Sequence, residues 1–286
     1  MLLSDDVGAS WRILGSESVF DLTVGAGDSI WGRWFEWHIW EPSPKFGVCV
    51  SRDGGRSFAR LEFEDEELFP YGFVEMEGAD PLLLADGGLF RIITSPDEPE
   101  ASIETFGSPI PDEPIWAGII CHDKLYVGTD LLSPDRYRSR VWVSHDSGES
   151  WRQQLELADS EVPSEKFYDF ACSGTGDLWC ATVWGVIFHY DAGQGVWNRI
   201  IDLGETDYSE FIVSMAGHEG DLIVKISHAL KPAIRVSTLG QVEVLGSLDL
   251  HILKVDPADR LWGAGIDGLF RWDDESQEWE RMWRAR

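Results

Sequence analysis

Positive charge is what this chain has least of. Its 286 residues hold 23 Lys plus Arg against 51 Asp plus Glu, a formal net charge of −28. Nucleic-acid binding works by neutralising phosphates with Lys and Arg. A surface this acidic repels DNA, RNA and anionic lipid headgroups, so neither nucleic acid nor a membrane is an expected partner. A basic protein would be attracted, chiefly through faster encounter, and salt would weaken that attraction. The same charge also keeps a chain with 15 tryptophans in solution.

Long hydrophobic runs are missing too. None approaches the ~20 residues of a membrane span. Met1-Leu2-Leu3 runs straight into Ser4-Asp5-Asp6, without the basic and apolar stretches of a secretion signal. The cysteines Cys49, Cys121, Cys172 and Cys180 have no metal-type spacing. They sit in apolar, strand-like stretches, where a free thiol behaves as a small hydrophobe. These features together lead to the expectation of a reducing, cytoplasmic setting.

Catalytic signatures are absent from the sequence. The histidines (His38, His122, His145, His189, His218, His228 and His251) form no His-x-His or His-Glu-x-x-His pattern. Gly-x-Ser-x-Gly is missing, and no Gly-rich loop precedes a helix. The expectation is therefore no catalytic residue, no cofactor and no metal. His122 with Asp123, at a strand-to-turn junction, comes nearest to a metal pair.

What the chain does have is strands. Runs of four to seven residues rich in Val, Ile, Leu, Phe and Trp alternate with Gly, Asp, Ser and Pro clusters. The best helical candidate is the short stretch Gln153 to Glu161. One unit recurs: a small polar turn, an apolar strand, a Gly turn and a second apolar strand. Gly176-Asp177-Leu178-Trp179 leads to Gly185-Val186-Ile187-Phe188-His189-Tyr190-Asp191. Asp259-Arg260-Leu261-Trp262 leads to Gly268-Leu269-Phe270-Arg271-Trp272-Asp273. Asp80-Pro81-Leu82-Leu83-Leu84 leads to Gly88-Leu89-Phe90-Arg91-Ile92. Weaker copies start at Asp28, Asp123 and Asp221, at steps of 38 to 54 residues. Periods of this size belong to propeller blades. The expected fold is all-β: a single β-propeller over residues 1–286, with six blades of four antiparallel strands. A partial seventh blade is the alternative. Residues 1–14 read as a hairpin that takes part in ring closure.

Three segments share one spacing, Ser-x-Asp-x-Gly-x-Ser-aromatic. They are Ser4-Asp6-Gly8-Ser10-Trp11, Ser51-Asp53-Gly55-Ser57-Phe58 and Ser144-Asp146-Gly148-Ser150-Trp151. The Asp carboxylate can accept turn N–H groups, the Gly permits positive φ, and the aromatic ring plugs the turn into the sheet. The pattern resembles the Asp-box, the bacterial neuraminidase repeat of sialidases and other propellers. The Asp177 and Asp259 copies resemble the blade repeats of two-component-regulator sensor propellers. The resemblance implies that the Asp-box residues are structural, at the outer edge of blades and away from the axial ligand site.

A sialidase would be implied by a Phe/Tyr-Arg-Ile-Pro motif ahead of the first Asp-box. Phe90-Arg91-Ile92-Ile93 lacks the proline and follows two Asp-boxes. It also recurs in the repeat as Phe270-Arg271-Trp272. Arg91 is therefore read as a blade residue.

Two features suggest recognition. Trp31, Trp34, Trp37 and Trp40 recur at every third position before Glu41-Pro42-Ser43-Pro44. On a strand this sends Trp31 and Trp37 to one face and Trp34 and Trp40 to the other. The second feature is a pair of acidic loops: Glu62 to Leu68, with Glu64, Asp65 and Glu66, and the Pro-bearing stretch from Ser95 to Glu100, with Asp97 and Glu98, which continues to Pro111-Asp112-Glu113-Pro114. Trp34, Trp37, Trp40, Glu64, Asp65, Glu66, Asp97 and Glu98 are the candidate partner-binding residues. The expected function is a non-enzymatic interaction module for a basic protein, either an acidic inhibitor of the immunity type or an assembly scaffold. A carbohydrate-binding or sialidase-like propeller is the alternative.

Overall fold

The structure is a computed structural model. It describes residues 2–3, 12–13, 19–36, 45–61, 69–76, 78–94, 101–110, 113–133, 136–158, 167–203, 211–226, 232–246, 248–256, 258–265 and 267–284. The first Ser-x-Asp-x-Gly-x-Ser segment (Ser4, Asp6, Gly8, Trp11) lies outside them. So do Trp37, Trp40, Glu64, Asp65, Glu66, Asp97 and Glu98.

Among the described residues the chain is all β, with no α-helix, and its sheets are arranged as the six blades of a β-propeller. Leu2–Leu3 (β1) pairs with Arg12–Ile13 (β2) as a two-stranded sheet. Six four-stranded sheets follow. The first is β3 (Val19–Val24), β4 (Ile30–Glu36), β5 (Lys45–Ser51) and β6 (Ala59–Arg60). The second is β7 (Pro70–Val74), β8 (Leu82–Ala85), β9 (Gly88–Thr94) and β10 (Ala101–Gly107). The third is β11 (Ile115–Cys121), β12 (Lys124–Ser133), β13 (Arg136–Ser144) and β14 (Arg152–Ala158). The fourth is β15 (Phe167–Cys172), β16 (Leu178–Thr182), β17 (Val186–Asp191) and β18 (Val196–Asp202). The fifth is β19 (Ile212–His218), β20 (Asp221–Ile226), β21 (Ala233–Val236) and β22 (Val242–Val244). The sixth is β23 (Leu250–Val255), β24 (Leu261–Gly265), β25 (Gly268–Asp273) and β26 (Glu278–Arg284). Each is a simple meander in chain order. The six repeat copies mark the second strand of each sheet in turn.

Of the stretch expected to be helical, residues 153–158 belong to β14 instead, and 159–161 lie outside the described residues. Gln and Glu favour helices only weakly, and pairing as the half-exposed fourth strand of a sheet overrides that preference. Cys49 and Cys180 are buried thiols outside any disulfide, and burial pushes the Cys180 thiol up. Cys121 and Cys172 are disulfide-bonded, contrary to the expectation of four reduced cysteines. No helix among the described residues is long and apolar enough to cross a membrane.

The chain divides into two compact units, residues 1–129 with 142–152, and residues 130–141 with 153–286. In each, second strands run buried through the core. Leu82 to Ala85 and Leu178 to Thr182 are buried throughout. Such runs belong to strands covered on both sides. In the first unit, Trp31, Val48, Val50 and Leu61 of the first sheet meet Leu83, Ala85 and Ile92 of the second. In the second unit, Trp179, Ala181 and Ile187 meet Ile212, Leu222 and Val224. Neighbouring sheets thus bury the faces that neither could bury alone.

Candidate recognition surface

A meander puts the start of its first strand at one end of the sheet and the turn between its third and fourth strands at the other. The two ends are built differently.

The described Ser-x-Asp-x-Gly-x-Ser segments are third-to-fourth-strand turns. The Ser51 hydroxyl donates to Asp53 Oδ1 at 2.8 Å and accepts from the Gly55 N–H at 2.7 Å. Asp53 also accepts from the backbone N–H groups of Arg56 and Ser57 and from the Ser57 hydroxyl. Ser144, Asp146, Gly148 and Ser150 repeat the arrangement. Gly55 and Gly148 sit at φ +77° and +94°, where only glycine rests without strain. The N–H and hydroxyl of Ser57, with the Ser51 hydroxyl, hold the Asp53 carboxyl well below the usual range. The Ser150 hydroxyl and N–H, with the Ser144 hydroxyl, bring Asp146 from 3.8 to about 2. Trp151 packs into the core of the second and third sheets, and Phe58 is half-buried. Every carboxylate bond here is local, so these aspartates close turns. Asp191 and Asp273 cap the corresponding turns of the fourth and sixth sheets by accepting the N–H groups of Gly193 and Gln194 and of Glu275.

Arg91 and Arg271 occupy one position in two sheets. Arg91 lies opposite Glu104 across β9 and β10, and Arg271 opposite Glu280 across β25 and β26. Both form ion pairs there, at 4.0 and 2.6 Å. These are cross-strand surface pairs of a repeating sheet.

The opposite end carries bulges. Near the start of every first strand the register slips by one residue. In β7, Pro70 pairs with Ala85 but Gly72 with Leu84, which leaves Tyr71 extra. In β11 the extra residue is Trp116, in β15 Tyr168, in β19 Val213 and in β23 His251. The slip in β3 falls between Phe20 and Thr23. A bulge frees one residue from pairing and re-aims its side chain. Pro70 opens β7 at no cost, since a first strand residue can do without its N–H.

In the first unit the bulges assemble a strip of rings. Tyr71 packs tilted against Trp116 with centroids 4.2 Å apart and against Phe69 at 5.3 Å, and Phe69 packs against Phe46 at 4.5 Å. The strip is partly open to solvent, and Phe69 is 36% exposed. Asp86 accepts a short hydrogen bond from the Tyr71 hydroxyl. Burial first, and then Asp86, push that phenol up. Arg33 donates to the Pro70 carbonyl at 3.0 Å and ties β4 beneath the strip. The second unit uses its bulges otherwise. Tyr168 donates to the Val213 carbonyl at 2.8 Å. An exposed pair, Trp184 and Phe211 at 4.5 Å, lies at the same end of its sheets.

Of the candidate partner-binding residues, Trp34 alone is described. It is half-buried, covers Gly47 on β5 and carries the Arg60 guanidinium 4.3 Å from its ring. Trp31 points the other way into the core, as strand alternation requires, with its N–H on Ser29 at 3.0 Å. Glu36 and Lys45, which flank 37–44, and Phe69, which follows 62–68, lie at the bulge end. Thr94 and Ala101, which flank 95–100, lie at the turn end, so the flanks of the two acidic stretches do not share an end. His122 and Asp123 form an exposed turn with φ of +51° and +58°. Among the described residues, metal-type donors converge instead at His218, Glu219 and Asp274.

No protein-family model matches the chain, and no curated protein does. Solved structures do match. The extracellular domain of the putative hybrid two-component system BT4673 from B. thetaiotaomicron aligns at a TM-score of 0.62 and 12% identity, over 94% of this chain and 33% of that one. The chain has the β-propeller fold. It spans about a third of that longer protein. Virginiamycin B lyase from Staphylococcus aureus aligns at 0.58 and 12% identity, over 94% of this propeller and 86% of its own length. Saccharomyces cerevisiae Sqt1 aligns at 0.54 and 12%, over 93% and 84%. Identities this low carry the fold and not the function.

Proposed function

We propose that this propeller is a non-catalytic module that binds another protein through the bulge end of its sheets. The observation that carries the reading is the close-packed, partly exposed strip of rings Phe46–Phe69–Tyr71–Trp116. Large rings that offer area at little entropic cost are the usual anchors of interfaces. The net charge of −28 supports a basic partner. An acidic inhibitor of the immunity type and an assembly scaffold both fit this chemistry. We also read the Ser51 and Ser144 turns as Asp-boxes, on their shared bonding pattern.

The test is capture by the tagged chain from its own host, at low and at physiological salt. A near-stoichiometric basic protein, retained less at higher salt and lost with Trp116→Ala, is the expected result. A partner retained equally by Trp116→Ala would move the interface away from the strip.

The strip also favours a second reading, since aromatic rings beside a hydrogen-bonded carboxylate suit sugar stacking. Quenching of tryptophan fluorescence by a glycan, abolished in Trp116→Ala, would support it over the first.

A further inference from the structure

In the second unit an imidazole is buried with one ring nitrogen unpartnered among the described residues. His218 ends β19 and is 1% exposed. Its Nδ1 has no hydrogen-bond partner. Its Nε2 faces Asp274 Oδ2 at 3.8 Å. Hydrogen bonds between such atoms run to about 3.2 Å, so this separation is too long for one. It does suit two donors on one cation. Bonds of about 2.0–2.2 Å from nitrogen and oxygen to a shared ion set the donors roughly 3–4 Å apart.

The carboxylate is fixed in place. Asp274 Oδ1 accepts from the Trp272 N–H at 2.9 Å and from Arg235 at 3.3 Å, which leaves Oδ2 turned to His218. A third donor stands beside them. Glu219, exposed in the β19–β20 turn, brings a carboxylate oxygen so that all three donor atoms lie within 4.8 Å of one another. A small rotation of this surface side chain would close the set.

We propose that His218, Glu219 and Asp274 form a binding site for a divalent first-row transition ion such as Zn2+, with water completing the coordination. One imidazole with two carboxylates is a borderline donor set, suited to such ions more than to Ca2+ or Mg2+. The ion would join the first hairpin of the fifth sheet to the last hairpin of the sixth. Arg235 limits the affinity, because its charge lies beside the same carboxylate.

The test is calorimetric titration of the chelator-treated full chain with Zn2+, with Co2+ absorption as a readout of nitrogen and oxygen ligation. One ion per chain is expected, with a higher melting temperature when loaded. Glu219→Gln, on the surface, should weaken binding by about tenfold or more. His218→Gln should abolish the Co2+ ligation band. Glu278→Gln, an exposed carboxylate outside the site, should change nothing and so report on diffuse uptake by the acidic surface. Saturation that is equal in wild type, Glu219→Gln and His218→Gln would overturn the site. So would the absence of any Zn2+ binding by the wild-type chain at millimolar concentration.

Discussion

In the first unit the described turns and the bulge end solve opposite problems. At the turn end, Asp53 and Asp146 spend their hydrogen-bonding capacity on their own turns, and Phe58 and Trp151 fold inward. At the bulge end, Tyr71 and Trp116 leave the pairing and pack in a strip that water reaches. A self-satisfied turn has little left to offer a ligand. A ring held rigidly by its strand, with part of its surface wet, has much to offer. The difference teaches where to look for recognition on this fold, and it does not depend on the identity of the partner.

The largest stability loss should come from the core that both ends rest on. Trp31→Ala removes a fully buried indole and should cost about 3–5 kcal/mol in chemical denaturation. Next comes the turn end. Ser144→Ala strands the buried Gly148 N–H and should cost about 1–3 kcal/mol, with partner binding unchanged. A loss of binding there would break the division of labour between the ends.

Acid should act on the turn end. Asp53 and Asp146 bind protons less readily in the fold than in the open chain. Burial pushes Asp256 up, but hydrogen bonds from Arg260 and Trp262 outweigh it and bring that carboxyl to about 2. Depressed carboxyls stabilise the fold above the ordinary value of 3.8, and that stability is lost as pH falls from there towards 2. A melting-temperature series should therefore drop through this window, and Asp146→Asn should drop less than wild type. The smallest stability change belongs to the bulge end. Trp116→Ala, at a half-buried position, should cost less than Trp31→Ala while lowering partner affinity by tenfold or more, the scale of an interface anchor.

Much of the architecture was legible in the residues. The six copies from Asp28 to Asp259 mark six second strands, because a strand buried on both faces needs an apolar run and the turn before it needs small polar residues. The Ser51 and Ser144 turns were legible because their bonds are local. The bulges were not. A one-residue slip follows from where two strands pair, and Tyr71, Trp116, Tyr168, Val213 and His251 share no residue type. Gln153 to Glu161 misled for a related reason, since a half-exposed outer strand accepts polar helix formers. His218 and Asp274 are far apart in the chain, so no spacing rule could have joined them. Cys121 and Cys172 misled through chemistry, because apolar neighbours say nothing about whether a thiol finds a partner.

The central claim is that recognition sits on the bulge end. The most direct measurement is the affinity of the captured partner for three forms of the chain: wild type, Ser144→Ala, and the double variant Tyr71→Ala with Trp116→Ala. The account predicts equal affinity for the first two and a loss of at least tenfold for the third, with its β-sheet circular dichroism intact. Equal affinity for all three, or a loss confined to Ser144→Ala, would contradict it.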